Sequence, residues 1–228
     1  MSSSNRIICP SHSLEDLVKN AFSHSKTTII PNGFDINRFL PGKAKENRIL
    51  ILTRMFKRKG VQYFIKAIEG IDFDYEVHIV GDGPYLDDLK SLAVSLGVKI
   101  KFWGFLDNQS EKLKNLLEAS KIFVFPSEAE NFPIVLLEAM STGMAIITTK
   151  GTGCEEVVSD TALLVKPKDA NGLRDALLKL IHNPFLCEKL GKMARKRIID
   201  NFSWEAVAKR YLKEYEKHIK NPNEIKSR

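Results

Sequence analysis

The sequence lacks the apolar runs and the cysteine and histidine patterns that mark several classes of protein. No run approaches the roughly 18 consecutive apolar residues of a membrane-spanning helix, and the segment Met1–Pro10 lacks the apolar core of a secretory signal. The chain has only 3 cysteines at wide spacing, which suits neither a disulfide framework nor a C-x-x-C metal site. None of its 5 histidines forms a pair at metal-ligand spacing. We therefore expect a soluble, cytoplasmic protein without a metal site.

The composition is that of a globular chain. Its 228 residues correspond to one or two domains, and 43% hydrophobic residues are enough to fill a core. Charged residues make up 28% of the sequence, and 13 glycines and 9 prolines are spread along it, which excludes low-complexity disorder and fibrous repeats.

The charge balance is basic. The 35 basic and 28 acidic side chains give a net charge of +7, which favours phosphates, nucleic acid or an acidic membrane surface as partners without choosing among them. Much of the excess lies in Lys189–Arg197 and Lys209–Lys220, where the helical spacing favours solvated helix faces.

Short apolar runs alternate with amphipathic stretches over most of the chain. This pattern predicts a Rossmann-like, doubly wound parallel sheet with crossover helices on both faces. The predicted strands are Ile49–Thr53, Tyr75–Val80, Lys99–Trp103, Ile122–Phe125, Ala145–Thr148 and Ala162–Val165. The predicted helices are Val61–Glu69, Tyr85–Leu96, Ser110–Ala119, Ile134–Thr142 and Ala170–His182.

The two ends of the chain depart from this alternation. The beginning predicts strands at Ile7–Cys9 and Thr27–Ile30 around a helix that Ser13 caps, and a polar linker follows at residues 41–46. The end predicts helices at Pro184–Asn201 and Trp204–His218, with Ser203 as the cap of the second. We divide the chain into residues 1–41, 42–202 and 203–228.

Two carboxylates flank the start of a predicted helix. Glu130 lies just before it and Glu138 inside it, after a strand whose carboxyl end is where ligands bind in open α/β sheets. The free N–H groups of Ile134 and Val135 at the helix start favour an anion. Carboxylates beside an anion site suit a ligand with hydroxyls around its phosphates, such as a nucleotide sugar. The alternative is that both glutamates are solvated surface residues.

A basic cluster, Arg54-Met55-Phe56-Lys57-Arg58-Lys59-Gly60, follows the first strand of the sheet and opens the next helix. It predicts a phosphate clamp, because arginine supplies a planar fork and lysine a point charge. A solvated basic turn is the alternative. The next strand ends in Gly81-Asp82-Gly83-Pro84, which lacks the third glycine of a dinucleotide fingerprint and so disfavours a nicotinamide enzyme.

Taken in order, these segments resemble glycosyltransferase family 4, whose members are retaining enzymes of the GT-B fold. The resemblance extends over about residues 5–218 and rests on motifs that are weak singly and specific in their order. They are Ile30-Pro31-Asn32-Gly33-Phe34-Asp35, Arg54 to Gly60, Val80 to Pro84, Phe102-Trp103-Gly104-Phe105, Pro126-Ser127 through Glu130, Glu138-Ala139-Met140, Gly143, Gly151 to Glu155, and Phe202-Ser203-Trp204.

The resemblance implies a role for each candidate residue. Arg54 and Lys59 would bind the donor diphosphate and stabilise the departing phosphate, with the backbone of Ile134 and Val135 adding contacts. Glu138 would bind the ribose, Glu130 the transferred sugar, and the backbone near Phe105 and Leu106 the base. The catalytic residues would thus be Glu130, Arg54 and Lys59. The implied chemistry is front-face attack within an ion pair, with a nucleoside diphosphate sugar as co-substrate and neither a metal nor another cofactor.

The sequence also departs from the family pattern. Thr53 replaces the usual glycine before the arginine, and Asn131 and Pro133 replace the usual pair of glycines after the first glutamate. GT-B enzymes bind the acceptor in a first Rossmann domain, of which we identify only the last strand and helix here. We therefore expect the helix Trp204–His218, which crosses back onto that domain, to have little to pack against.

The resulting prediction is the donor-binding half of a glycosyltransferase, either a fragment or one chain of a split enzyme. Its predicted partners are a separate amino-terminal domain chain, the inner face of a membrane as a peripheral contact, and a glycan, lipid or small-molecule acceptor, with no nucleic acid partner. Two alternatives stay open: a non-catalytic nucleotide-sugar-binding or interaction module, and a nucleotide-sugar epimerase of GT-B type. The pair Glu130 and Glu138 disfavours the epimerase.

Overall fold

A computed structural model describes residues 6–219. Its strands are β1 (Ile7–Cys9), β2 (Thr27–Ile29), β3 (Glu46–Leu52), β4 (Glu76–Val80), β5 (Lys101–Phe102), β6 (Ser120–Phe125), β7 (Ala145–Thr149) and β8 (Ala162–Val165). Its α-helices are α1 (His12–Ala21), α2 (Val61–Ala67), α3 (Leu86–Ser95), α4 (Glu111–Ala119), α5 (Ile134–Ser141), α6 (Gly153–Val158), α7 (Ala170–Ile181), α8 (Pro184–Phe202) and α9 (Trp204–Ile219). Within these residues no helix is long and apolar enough to cross a membrane.

The six strands β3–β8 form one sheet in the order β5-β4-β3-β6-β7-β8, and every adjacent pair is parallel. The chain starts in the middle at β3, moves to one edge, and returns to the middle at β6 to build the other half. This order is that of a Rossmann fold, and the switch point lies between β3 and β6. The predicted doubly wound parallel sheet is confirmed.

The sheet is buried on both faces, which is why its strands are almost continuously apolar. Along β3, Ile49 and Ile51 enter the apolar layer on one face and Leu50 enters the layer on the other, and all three are fully buried. Phe34 and Phe39 also lie in the second layer, although they precede the predicted boundary at residue 41. The predicted division at residues 41 and 202 stays a prediction.

The beginning of the chain differs from the sequence-based expectation at the helix cap. Ser11, not Ser13, caps α1, because Ser11 has extended backbone angles and its hydroxyl accepts from the N–H of Leu14. Ser13 lies inside the first turn, where its N–H and that of His12 donate to the carboxylate of Glu156. An acidic side chain distant in sequence therefore binds the start of this helix, which the local pattern could not indicate.

The closing helix packs more closely than its sequence suggested. On one side of α9, Val207 and Glu214 are buried, and Glu214 forms an ion pair with Arg6 at 3.2 Å and accepts from the hydroxyl of Thr28. The expectation that this helix has little to pack against is therefore wrong for that side, because it contacts Arg6 beside β1 and Thr28 in β2. Ser203 caps it as predicted, accepting from the N–H of Ala206. The other side exposes large apolar side chains, among them Trp204, Leu212 and Tyr215.

Short helical segments were missed by the sequence pattern. The helix α6 has only six residues and starts at a glycine, and 3₁₀ turns occupy Lys57–Lys59 and Ser159–Thr161. Segments of one or two turns carry too few apolar positions to show a helical period.

Gly60 fixes the position of the basic turn against the sheet. It adopts a left-handed φ of 74°, and a Cβ there would lie 2.0 Å from the carbonyl oxygen of Pro126, just beyond β6. Only glycine allows the loop after β3 to lie this close to the end of β6.

We predict that Gly60→Ala destabilises the protein by more than backbone strain alone. Gly97→Ala is the matched control, because Gly97 has a similar φ of 64° and open space where a Cβ would lie. The control should lose about 1–2 kcal/mol of unfolding free energy, the cost of a left-handed non-glycine residue. Gly60→Ala should lose about 1–3 kcal/mol more from the clash. Urea denaturation measures both, and equal losses would contradict the proposed close approach.

Candidate functional site

A cleft of about 570 Å³ lies at the switch point, outside the carboxyl ends of β3, β4 and β6. All of the residues that the sequence predicted for binding or catalysis line it. They are Arg54, Lys59, Phe105, Leu106, Glu130, Ile134, Val135 and Glu138. They come from segments that are well separated in the sequence, so the fold brings these residues to one place.

The basic turn after β3 supplies the positive side of the cleft. Lys59 is largely buried, and its ammonium lies 5.6 Å from the centre of the Phe125 ring. Arg54 is exposed and lies over the ring of Phe56, with 5.8 Å between its guanidinium carbon and the ring centre. Within residues 6–219 Arg54 forms no ion pair, so its charge is available to an anion in the cleft.

Glu130 is held in place through one carboxylate oxygen and its backbone. Its Oε1 forms a short ion pair with the ammonium of Lys59 and accepts from the hydroxyl of Ser127 at 2.7 Å. Its carbonyl oxygen accepts from the N–H of Gly153 at 2.8 Å. The alternative of a solvated loop glutamate is therefore wrong, since only 13% of the side chain is exposed.

Glu138 is a buried carboxyl in the wall of the cleft. It is 7% exposed, which also excludes the surface-helix alternative. Burial raises its pKa to about 7, because a charged carboxylate is less well solvated there than in water. The charge of Arg38 acts in the opposite direction and lowers this pKa. Near neutral pH, Glu138 is therefore present in both its neutral and its charged form, and such shifted pKa values are typical of residues in functional sites.

The first turn of α5 adds backbone donors. Pro133 precedes the helix, and no described side chain caps it. The N–H groups of Ile134 and Val135 therefore lie at an open helix end that lines the cleft, where the helix dipole favours negative charge. Pro133 itself sits where its missing N–H matters least.

Phe105 and Leu106 form the wall beyond β5. Phe105 is 72% exposed, and its ring offers an apolar face on which a flat ligand group could stack. The guanidinium of Arg38 donates to the carbonyl oxygen of Asn108 at 3.1 Å, linking the segment before β3 to this loop. The base position near these residues stays a prediction.

Three contributors to the site were missed by the sequence: Arg38, Ser127 and Gly153. Arg38 lies in the segment before β3, Ser127 contacts Glu130 directly, and Gly153 holds its backbone. A Cβ on Gly153 would lie 1.8 Å from the carbonyl oxygen of Asn131. Ser127 and Gly153 stand in the motifs of the resemblance, which was a signal that could have found them.

The cleft combines two kinds of recognition. Arg54, Lys59 and the start of α5 favour an anion, while Glu130 and Glu138 offer acceptors for hydroxyl groups. Among the described residues, no cluster of three or more histidine, cysteine or acidic side chains is placed to hold a metal ion. The arrangement suits a ligand that carries both phosphates and hydroxyls.

A family model described as "Glycosyl transferases group 1" matches residues 34–197, a range that contains every residue of the cleft named above. Among curated proteins, the chain is 30% identical over 218 residues to a GDP-mannose-dependent monoacylated α-(1-6)-phosphatidylinositol monomannoside mannosyltransferase of Corynebacterium glutamicum. The match covers 84% of this chain and 57% of the relative.

Solved structures share the fold. Sucrose-phosphate synthase from Thermosynechococcus elongatus superposes with a TM-score of 0.82 at 26% identity, covering 95% of this chain and 59% of that one. Anabaena HepE, solved in complex with UDP-glucose, gives a TM-score of 0.82 at 20% identity, covering 94% and 64%. The chain thus spans a little over half the length of these proteins.

We predict that Glu138 makes stability fall as the pH rises. Its pKa is about 7 in the folded protein and near the ordinary 4.5 in the unfolded chain, so unfolding releases a proton between these values. Its contribution is fully present below pH 4.5 and is lost above 7, a change of up to about 3 kcal/mol. Urea denaturation at pH 5 and pH 8 should show this loss in the wild type relative to Glu138→Gln. Identical pH dependence in both proteins would contradict the raised pKa.

Proposed function

We propose that this chain, which belongs to the group 1 glycosyl transferases, binds a nucleoside diphosphate sugar and forms the donor half of a sugar-transfer site. The observation that carries the proposal is the meeting of two cations, an open helix start and two largely buried carboxylates in one cleft at the switch point. The named donors of the relatives, GDP-mannose in one and UDP-glucose in another, support a nucleotide sugar and leave the base open.

The proposal gives each wall of the cleft one part of the donor, and the contacts support it. Lys59 has three N–H donors, of which Glu130 accepts one, so the ammonium is held in place and can still donate to a phosphate. Arg54 and the N–H groups of Ile134 and Val135 bind the same diphosphate from other sides. Glu138 accepts from the ribose hydroxyls, and Oε2 of Glu130, which accepts from no described residue, accepts from the transferred sugar.

The same residues account for the chemistry of transfer with retention. The bond from the sugar carbon to the phosphate oxygen breaks first, and the charge that builds on the phosphate is stabilised by Arg54, Lys59 and α5. The acceptor hydroxyl then bonds to the sugar carbon on the face the phosphate left, and the phosphate oxygen takes the hydroxyl proton. The step needs no protein nucleophile, and we expect neither a metal nor a cofactor.

Glu138→Gln should weaken binding of a nucleotide sugar by about 10- to 150-fold. The amide removes a charge-assisted hydrogen bond worth about 1.5–3 kcal/mol while keeping the shape of the side chain. Calorimetry with UDP-glucose and GDP-mannose, in the presence of a chelator, measures the loss. Glu205→Gln, on the exposed start of α9, is the control and should bind as the wild type does. Unchanged affinity in Glu138→Gln would remove the ribose role from this residue.

Arg54→Ala should reduce the salt dependence of nucleotide binding. Phosphate contacts in an open cleft are partly screened by salt, so the affinity for a nucleoside diphosphate falls as salt is added while that for the nucleoside hardly changes. Lys57→Ala is the control, because Lys57 belongs to the same basic turn but does not line the cleft. If Arg54→Ala keeps the wild-type salt dependence, the phosphate clamp lies elsewhere.

Transfer by this chain should require an additional acceptor-binding domain. Holding donor and acceptor together contributes on the order of 7–11 kcal/mol in the best intramolecular cases, and the relatives are longer than the segment they share with this chain. We expect no transfer above background from the purified 228-residue chain, and transfer when an amino-terminal Rossmann domain is added. An assay with radiolabelled donor, using cell extracts as the acceptor source, tests this.

Robust transfer by the 228-residue chain alone would contradict the proposal that this chain supplies only the donor half of the transfer site. Binding of the donor with no transfer under either condition would favour the alternative of a non-catalytic nucleotide-sugar-binding module.

A further inference from the structure

A second and larger cavity lies at the opposite end of the sheet from the donor cleft. Its volume is about 1080 Å³, and it runs along one face of α8 beside the amino ends of β3, β4 and β6. Lys45 and Asn47, Tyr75 and Lys121 mark those amino ends. None of the residues proposed to bind the donor lines this cavity.

The wall of the cavity is largely apolar. Tyr75, Ile181, Pro184 and Ile199 present hydrocarbon surface. Gly191 lets α8 approach the backbone of Gly143 there, because a Cβ on Gly191 would lie 2.2 Å from the Gly143 carbonyl oxygen. Ile199 is 40% exposed, which leaves apolar surface open to a ligand. The apolar part of a ligand would bury this surface on binding.

The basic groups that line the cavity have partners among the described residues, in ion pairs or in hydrogen bonds to neutral oxygens, with one exception. Lys192 pairs with Glu188 and Lys196 with Asp200. The guanidinium of Arg195 donates to the carbonyl oxygen of Ile36 at 2.8 Å, and Lys121 donates to the side chain of Asn47. These groups therefore have partners within the chain.

Lys45 is the exception. Its ammonium nitrogen is buried and has no hydrogen-bond partner among the described residues. Glu118 and Cys187 influence it electrostatically, but the carboxylate of Glu118 accepts from the backbone N–H of Leu40. Burial lowers the pKa of Lys45 to about 8, so the ammonium form still predominates at about pH 7. A buried cation without a partner is costly unless an anion pairs with it.

We propose that this cavity binds a free amphiphilic carboxylate, whose anionic head pairs with Lys45 and whose single hydrocarbon chain lies along α8. The head supplies the partner that the ammonium lacks, and the chain covers the apolar wall. The site is independent of the proposed donor, because the two cavities open at opposite ends of the parallel sheet.

Calorimetry with octanoate and octanol, which share a hydrocarbon chain and differ in charge, tests the proposal. The wild type should bind octanoate at least about tenfold more tightly than octanol, the effect of one charge-assisted hydrogen bond. Lys45→Met should lose this preference and keep the binding of octanol. Lys43→Met, an exposed lysine two positions earlier, should keep the preference. Ile199→Ser should weaken both ligands alike, because it removes apolar wall and leaves the charge.

Lys45→Met should also fold normally, since it replaces an unpaired buried charge by an apolar chain of similar length. Equal binding of octanoate by the wild type and a folded Lys45→Met would overturn the proposal, as would no binding of either ligand. Sedimentation with phosphatidylglycerol vesicles separates a membrane lipid from a free ligand. Vesicle binding that is lost in Lys45→Met would assign the cavity to a membrane lipid and overturn the proposal that its ligand is free in solution.

Discussion

The parallel pairing of β3 with β6 is the constraint on which the donor cleft depends. Ile49 lies opposite Ile122 and Leu50 opposite Phe123, so the two strands end at the same edge of the sheet. The loop after β3 carries Arg54 and Lys59, and the loop after β6 carries Ser127 and Glu130. β3 and β6 are adjacent in the sheet but belong to different halves of the fold. The loops that follow them therefore turn away from each other, and the space between the loops is the cleft.

The two carboxylates in this cleft differ in whether a neighbouring group compensates their charge. Glu130 has Lys59 and Ser127 as partners, so its charge is compensated within the chain. Glu138 has no such partner at contact distance among the described residues, and burial favours its neutral form. A charged Glu138 therefore destabilises the folded protein as long as no ligand donates hydrogen bonds to it from hydroxyl groups. Sites that bind polar ligands commonly retain such unfavourable groups, which lower stability in exchange for function.

The sequence predicted the features that local patterns determine and missed several that depend on the folded structure. Buried parallel strands are short apolar runs, so β3 to β8 were all predicted, with boundaries shifted by up to three residues. The eight site residues were predicted because ordered motifs of a resemblance identify them. Ser11 as the cap of α1, the packing of α9 through Glu214, and the position of Arg38 were missed. The last two depend on groups far away in the sequence, Arg6 for Glu214 and the carbonyl oxygen of Asn108 for Arg38. The cap is a local contact, but Ser11 and Ser13 are both possible caps in the sequence, and only the backbone angles and the hydrogen bond to Leu14 distinguish them.

Release of a proton when the donor binds tests the role of Glu138 most directly. Because its pKa is about 7 in the free chain, roughly half of the molecules hold the proton at pH 7. Hydrogen bonds from the ribose hydroxyls favour the charged form, which accepts on both oxygens, and so lower this pKa. Calorimetry of UDP-glucose or GDP-mannose binding at pH 7, in buffers of different ionisation enthalpy, counts the protons. Each phosphate of a nucleotide sugar carries one sugar ester and shares the anhydride oxygen, so only strongly acidic groups remain and the ligand does not titrate near pH 7. The account predicts release of about half a proton per donor bound, absent in Glu138→Gln; no release, or uptake of a proton, would contradict it.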